Sequence, residues 1–162
     1  MKTIKATDGN IEDIVKYEIA RLGYHADLNH IDVSEVMDMR GLFRGSNFNG
    51  DISKWNVSSV IDMSEMFQDA KFNGNISNWD VSNCLSFELM FYNSDFKPVF
   101  TGDISKWKVR DDANVKRMFN ADAPNSTPKI RIHMACDILH ELTINYGSEL
   151  REFAKERGII KD

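Results

Sequence analysis

The densest group of residues able to bind a metal lies near the carboxyl end of the 162-residue chain, at His133, Cys136, Asp137 and His140. Residues three and four apart share one face of a helix, so a helix here would bring these side chains together. Zinc binds imidazole, thiolate and carboxylate groups, but structural zinc sites usually take four ligands from separated pairs. Cys136 also fits the apolar stripe of the predicted helix. We therefore expect neither a metal site nor a cofactor.

Motifs for catalysis are missing from the sequence. It contains no nucleophile elbow, no glycine-rich phosphate loop and no local Cys–His signature. Asp80 and Asp103 recur at fixed places in a repeat, so they give no independent support for a carboxylate pair in acid–base chemistry. We expect a protein that is not an enzyme. A hydrolase without a recognisable motif is the enzymatic alternative.

An internal repeat positions most of the candidate side chains. Good copies of Ile-Ser-x-Trp-x-Val begin at Ile52, Ile76 and Ile104, and a degenerate copy spans 28–36. Four phenylalanines recur at intervals of 24, 24 and 28 residues, because four extra residues are inserted within 94–100; they are Phe43, Phe67, Phe91 and Phe119. A single unit cannot bury its apolar face, so units of this kind stack on their neighbours.

The spacing within one unit predicts its local structure. Alternation around Trp55 and Val57 predicts a short strand with one buried face. Spacings of three and four from Val60 to Phe67 predict a helical turn. Asn73-Gly74 then predicts a turn with positive φ. Together these patterns predict an α/β fold, a short leucine-rich-repeat-like solenoid of about four coils with Trp, Val, Met and Phe inward.

Helical caps are predicted at both ends of this solenoid. A helix beginning after Asn10 and ending at Gly23 has an apolar stripe, and further helices are predicted after Pro128. We divide the chain into an N-terminal helical cap (1–27), the repeats (28–121) and a C-terminal helical cap (122–162), forming one structural domain. Polar residues that recur in the units are expected to hydrogen-bond the backbone of turns; they are Ser53, Ser77, Ser105, Asp51, Asn75 and Asp103.

The repeat resembles a known family. Phe-Asn-Gly-Asp-Ile-Ser-Lys-Trp (48–55), Val-Ile-Asp-Met-Ser-Glu-Met-Phe (60–67) and Asn-Trp-Asp-Val-Ser-Asn (78–83) are similar to the BspA-like leucine-rich-repeat family. The resemblance covers about residues 26–121. It implies a solenoid used for protein or surface contacts, in a family often described as bacterial surface proteins. Because the repeats are few and no export signal is seen, we expect a short, non-secreted, intracellular or phage-type member.

Composition narrows the class of partner. A formal charge of −5 argues against a nucleic-acid binder, which usually carries a basic face. No segment has the roughly eighteen apolar residues of a membrane span. Only two cysteines occur, whereas small secreted proteins often depend on disulfides. These features predict a cytoplasmic protein that binds neither membrane nor nucleic acid.

The outward residues of the predicted strands are the first candidate binding residues, and the last strand departs from the repeat because it is basic. On the predicted sheet face these are Lys54, Asp80, Lys106, Lys108 and Arg110, the last three forming a basic strand that would attract an anionic partner. The same charges would also discourage edge pairing.

The inserted loop is the second candidate contact, because it contains Phe96 and Phe100. Exposed aromatic rings often anchor interfaces, although these two rings could equally pack beneath the cap. We expect a non-enzymatic protein–protein interaction module with an unknown protein partner. A phage-encoded inhibitor or decoy of a host defence enzyme, and a surface adhesin fragment, are the alternatives.

Overall fold

Regular secondary structure is confined to the amino-terminal part of the described chain. The computed structural model describes residues 2–95 and 99–119. Its elements, in chain order, are β1 (Ile4–Lys5), α1 (Ile11–Leu22) and β2 (Ile31–Asp32). The two strands form a parallel sheet in which Ile4 lies opposite Ile31 and Lys5 opposite Asp32. The first repeat therefore contributes β2, and β1 and α1 cover it.

Helix α1 begins and ends where the sequence predicts. Glu12 and Asp13 lie in its first turn, where carboxylates interact favourably with the helix dipole. At the other end, the N–H of Gly23 donates to the carbonyl of Ile19 (2.8 Å). Gly23 has φ +91°, a conformation that favours glycine. The apolar stripe of the helix packs on the core; its members are Ile11, Ile14, Val15, Ile19 and Leu22.

The predicted leucine-rich-repeat-like solenoid of about four coils with helical caps is wrong. The described residues contain only the two-stranded parallel sheet and the 12-residue helix α1. From Val33 onwards they contain neither strand nor helix. Successive repeats pair instead through isolated parallel bridges, at Asp27–Asp51, Asp38–Asp62, Asp62–Ser86 and Ser86–Asn114. The predicted C-terminal cap (122–162) lies outside the described residues.

Tight turns produce the alternation that resembled a strand. The N–H of Trp55 donates to the carbonyl of Ile52 (3.2 Å), and the N–H of Val60 donates to the carbonyl of Val57 (3.0 Å). Carboxylate and amide oxygens hold the same turns, as the sequence predicts, since Asp51 accepts the N–H of Ser53 (2.9 Å). Two successive turns therefore flank these residues, and the apolar side chains point inward although no strand is formed here.

Left-handed residues interrupt the segment that resembled a helical turn. Glu65 has φ +58° and Asp69 φ +56°. The N–H of Met66 donates to Met63 in its own repeat (3.2 Å), whereas the N–H of Phe67 donates to the carbonyl of Met90 in the next repeat (2.9 Å). This alternation continues along the segment. A helix would direct every N–H back along its own chain, so half of these donors instead bind the neighbouring repeat.

Aromatic rings form the centre of the core. Along one column the ring centroids are 5.4 Å (Phe43–Phe67), 5.6 Å (Phe67–Phe91) and 5.1 Å (Phe91–Phe119) apart. The three indoles each donate Nε1–H to a carbonyl of the preceding repeat, Trp55 to Leu28, Trp79 to Ile52 and Trp107 to Ile76. The predicted inward orientation of the Trp, Met and Phe columns is confirmed, because these side chains lie in the core.

The glycine of each Phe-x-Gly segment is required by close packing rather than by positive φ. A Cβ on Gly50 would lie 2.1 Å from the carbonyl oxygen of Ala26 in the preceding repeat. A Cβ on Gly74 would lie 2.7 Å from the ring of Phe72. Neither residue has a positive φ, so the predicted reason for these glycines is wrong.

Candidate binding groove

A polar concavity lies on the surface where the third and fourth repeats meet. Its volume is about 340 Å³. Seven residues line it: Ser77, Asn78, Trp79, Asp80, Ser82, Lys106 and Lys108. We call this concavity the lysine groove. It unites three residues of the sequence-based hypothesis, Asp80, Lys106 and Lys108.

Hydrogen bonds hold the floor of the lysine groove. The side-chain oxygen of Asp80 accepts the backbone N–H of Ser82 (3.1 Å). The indole of Trp79 is buried and donates to the carbonyl of Ile52 (3.2 Å). A groove whose backbone is fixed in this way loses little conformational entropy when a ligand binds.

The two lysines are the available charges of the groove. Both Lys106 and Lys108 are exposed, and neither forms an ion pair with a carboxylate of the described residues. Asp80 has a lowered pKa, chiefly because the side chain and backbone of Ser82 hydrogen-bond its carboxylate, with a smaller contribution from the charge of Lys108. The carboxylate is therefore engaged locally, and the lysine ammonium groups can bind an anionic group of a ligand.

The remaining predicted cations do not line the groove. Lys54 is exposed, but it lies in the second repeat, at the position that Asn78 and Lys106 hold in the third and fourth repeats. Arg110 forms two hydrogen bonds with Asp112, of 2.8 and 2.9 Å. The predicted basic strand is therefore wrong, because the segment is not a strand. Arg110 forms an ion pair with its own neighbour, and the role of these three cations in binding stays a prediction.

The structure describes only one of the two aromatic residues that were predicted to contact a partner. Phe96 lies outside the described residues. Phe100 is 8% exposed, and its ring stacks on Phe91 with centroids 4.1 Å apart. It is therefore a core residue and not an exposed anchor. The sequence contains the signal for this placement, because Phe100-Thr-Gly-Asp-Ile repeats the pattern Phe48-Asn-Gly-Asp-Ile.

One buried charged cluster was missed by the sequence reasoning. Glu18 is 2% exposed, and its carboxylate is bonded by Arg21 (2.5 Å) and His30 (2.9 Å). The guanidinium of Arg21 is the main reason that the pKa of Glu18 is lowered. These contacts join α1 to the turn before β2. The sequence does indicate that Glu18 is buried, because its spacing places it on the same face of α1 as the buried Ile11 and Val15.

Neither a metal-binding cluster nor a membrane-spanning helix occurs in the described ranges, 2–95 and 99–119. No three or more His, Cys, Asp or Glu side chains there are grouped closely enough to hold a metal ion. The cluster from His133 to His140 lies outside those ranges. Nor does any helix in them combine the length and apolar character needed to cross a membrane.

Residues 14–130 match a family described as "Mycoplasma protein of unknown function, DUF285". This match covers more than two thirds of the chain. The chain belongs to the DUF285 family. DUF285 is related to the BspA-like repeat proteins, and the match supports the resemblance found in the sequence only to that extent; it does not confirm membership of the BspA-like leucine-rich-repeat family. No curated protein and no solved structure shows a significant match to this DUF285 chain.

Proposed function

We propose that this DUF285 protein is a non-enzymatic interaction module that binds a protein partner through the lysine groove. One observation carries the proposal. Two exposed lysines without ion-pair partners among the described residues border a concavity whose backbone is held by hydrogen bonds. Such an arrangement presents charge to a partner at little cost in backbone order, so that the main entropic cost is the ordering of the two lysine side chains.

The charges elsewhere support the choice of this surface. Four described arginines bind carboxylates of their own chain, as Arg21, Arg40, Arg44 and Arg110 show. Lys106 and Lys108 have no such contact, and of the described lysines that lack one, including Lys54, Lys71 and Lys116, only these two line the groove. Free cations on an acidic protein attract an anionic segment and orient its approach. The groove therefore fits acidic side chains of a protein partner.

The broader assignment belongs to the same proposal. We infer that the repeats are BspA-like in sequence and in use, so that they present a recognition surface to proteins. We also propose a cytoplasmic location, where thiols remain reduced. Cys84 suits it, because burial raises the pKa of its thiol to about 11 and the side chain packs as an apolar residue.

The experiment that tests the groove compares two double variants with the same change in charge. Purified protein is used to capture partners from a lysate, and Lys106→Glu/Lys108→Glu is compared with Lys71→Glu/Lys116→Glu. Lys71 and Lys116 are also exposed. We expect only the groove variant to lose the partner, and we expect capture by the wild type to weaken as salt increases.

Two results would contradict the proposal. One is capture that survives the groove variant, and the other is equal loss in both variants, which would indicate a general charge effect. The identity of the captured protein then separates the functional alternatives. A nuclease or toxin that is inhibited on binding would favour the inhibitor, and a cell-surface component would favour the adhesin.

A further inference from the structure

A row of exposed apolar side chains runs along the repeats, away from the lysine groove lining. Met37, Ile61 and Leu85 are 49%, 44% and 42% exposed. They are spaced 24 residues apart. The N–H of Ile61 donates to the carbonyl of Met37 and the N–H of Leu85 to that of Ile61, both at 2.8 Å. We call these three residues the apolar ladder.

Core packing does not account for the apolar ladder. Each of its residues follows a fully buried one in the sequence, at Val36, Val60 and Cys84. The residue before each ladder residue therefore fills the core. A polar side chain at the ladder position itself would remain in water. In the next repeat the equivalent residue, Ala113, is only 8% exposed, so the row ends there. Aligned, exposed apolar side chains of this kind mark contact surfaces.

We propose that the apolar ladder binds one amphipathic helix of basic character from a partner protein. Hydrogen-bonded parallel segments lie about 4.7–4.9 Å apart, which sets the spacing of the three side chains. A helix rises about 5.4 Å per turn, so apolar residues on its successive turns lie opposite successive ladder residues. This is the contact pattern by which amphipathic helices dock on apolar surfaces.

The negative charge around the apolar ladder is the reason for proposing a basic helix. Asp38 and Asp62 directly follow two ladder residues in the chain, and the carboxylate of Asp8 binds the N–H of Met37 (2.7 Å). Arg40 contacts both Asp38 (2.6 Å) and Asp62 (3.7 Å), so one cation serves two carboxylates. The surplus of negative charge favours a helix with lysine or arginine beside its apolar stripe.

The size of the apolar ladder favours a single helix over a second copy of the chain. A stable protein–protein interface typically buries about 1,600 Å². Three side chains that are each less than half exposed supply only a small part of such an area. They are sufficient for the few anchors through which a short helix binds.

The test uses a fluorescein-labelled leucine–lysine amphipathic peptide of about 15 residues, long enough to form a helix. Fluorescence anisotropy gives its Kd for the full-length protein and for Ile61→Asp/Leu85→Asp. The matched control is Tyr17→Asp/Tyr24→Asp, because these tyrosines are 66% and 51% exposed and the added charge is the same. Ile61→Ser/Leu85→Ser serves as a second, uncharged ladder variant, and emission from the buried tryptophans reports that each variant is folded.

We expect both ladder variants to weaken binding by about ten-fold or more, while the tyrosine control retains the wild-type Kd. Equal loss in the control, or no loss in the ladder variants, would overturn the proposal. Equally tight binding of a leucine–glutamate peptide would overturn its charge requirement. Dimerisation of the wild type that the ladder variants abolish would identify a second copy as the occupant. Lys106→Glu/Lys108→Glu should leave peptide binding intact, so the proposal for the apolar ladder is tested independently of the proposal for the lysine groove.

Discussion

The carboxylate of Asp8 takes the place of a backbone carbonyl for Met37. Its Oδ1 accepts the N–H of Met37 (2.7 Å) and the N–H of Asp38 (3.0 Å). One repeat further on, the equivalent donors Ile61 and Asp62 bind the carbonyl oxygen of Met37, at 2.8 and 3.3 Å. The first repeat has no preceding repeat, so a side chain supplies the missing acceptor and ends the hydrogen-bonded rows.

Replacing Asp8 tests this role. Asp8→Ala leaves two backbone donors to water, and we expect the free energy of unfolding to fall by about 1–2 kcal/mol, as at a lost helix cap. Asp8→Asn keeps the side-chain oxygen and should cost less than half as much. Urea unfolding provides the measurement, with Asp13→Ala as the control for charge. An Asn variant as unstable as the Ala variant would contradict the acceptor role.

The glycine that contacts the preceding repeat should tolerate no side chain. We expect Gly50→Ala to lower the free energy of unfolding by about 3 kcal/mol, because its Cβ would lie 2.1 Å from the carbonyl oxygen of Ala26. Gly9→Ala is the matched control, since the nearest atom to its Cβ would be 4.0 Å away. Thermal unfolding of the two variants checks this. Equal stability of both would show that the repeats are not packed this closely.

The inward residues could be predicted from sequence, whereas the backbone that positions them could not. Trp55 and Val57 are buried as their spacing indicates, but inward–outward alternation is common to a strand and to a pair of tight turns. The segment around Glu65 shows the same ambiguity. Apolar spacing indicated a helical turn, while the left-handed backbone of Glu65, at φ +58°, depends on hydrogen bonds to the next repeat that no local pattern shows.

Carboxylates in the turns should make the protein sensitive to acid. The pKa values of Asp51 and Asp80 are lowered, because serine backbone and side-chain groups hydrogen-bond their carboxylates. A carboxyl group whose folded pKa lies below the unfolded value of about 3.9 stabilises the fold above that pH, and the stabilisation is lost as the pH falls through the folded pKa. We therefore expect stability to decline from about pH 4 downwards.

Asp51→Asn/Asp80→Asn should reduce that decline while preserving the turns. Asn75 and Asn56 occupy the same places in neighbouring repeats and accept the same bonds from Ser77 and Ser58. Urea midpoints at pH 5 and pH 3 give the comparison. Identical losses of stability in the variant and the wild type would show that these two carboxylates do not contribute.

Trp79 should be essential to cooperative unfolding. Its ring lies 6.4 Å from that of Trp107, and its Nε1–H binds the carbonyl of Ile52. We expect Trp79→Ala to cost about 3–5 kcal/mol and to broaden the transition, since it removes contacts between repeats. Trp79→Phe should cost less, about 1–3 kcal/mol, because it removes the indole hydrogen bond and part of the buried ring, while the carbonyl of Ile52 keeps the N–H of Trp55. An unchanged melting temperature for the Ala variant would refute the core role.

The candidate site was predicted in part. Alignment of the repeats placed Lys106 and Lys108 on the surface near Asp80, because columns in a repeat protein remain in register. It could not show that Arg110 bonds to Asp112, since such a contact depends on the local turn. Nor did it show that Ile61 is exposed, because the sequence prediction covers the Trp, Val, Met and Phe columns and not the column of Ile61.

The most direct test of binding at the lysine groove is photo-crosslinking. Benzoylphenylalanine at Asn78, which lines the groove, is compared with benzoylphenylalanine at Tyr17, which is 66% exposed on α1. Irradiation in lysate followed by mass spectrometry identifies any adduct. We expect a covalent adduct with one partner protein from position 78 and none from position 17. An adduct from position 17 alone, or none from either position, would contradict the account.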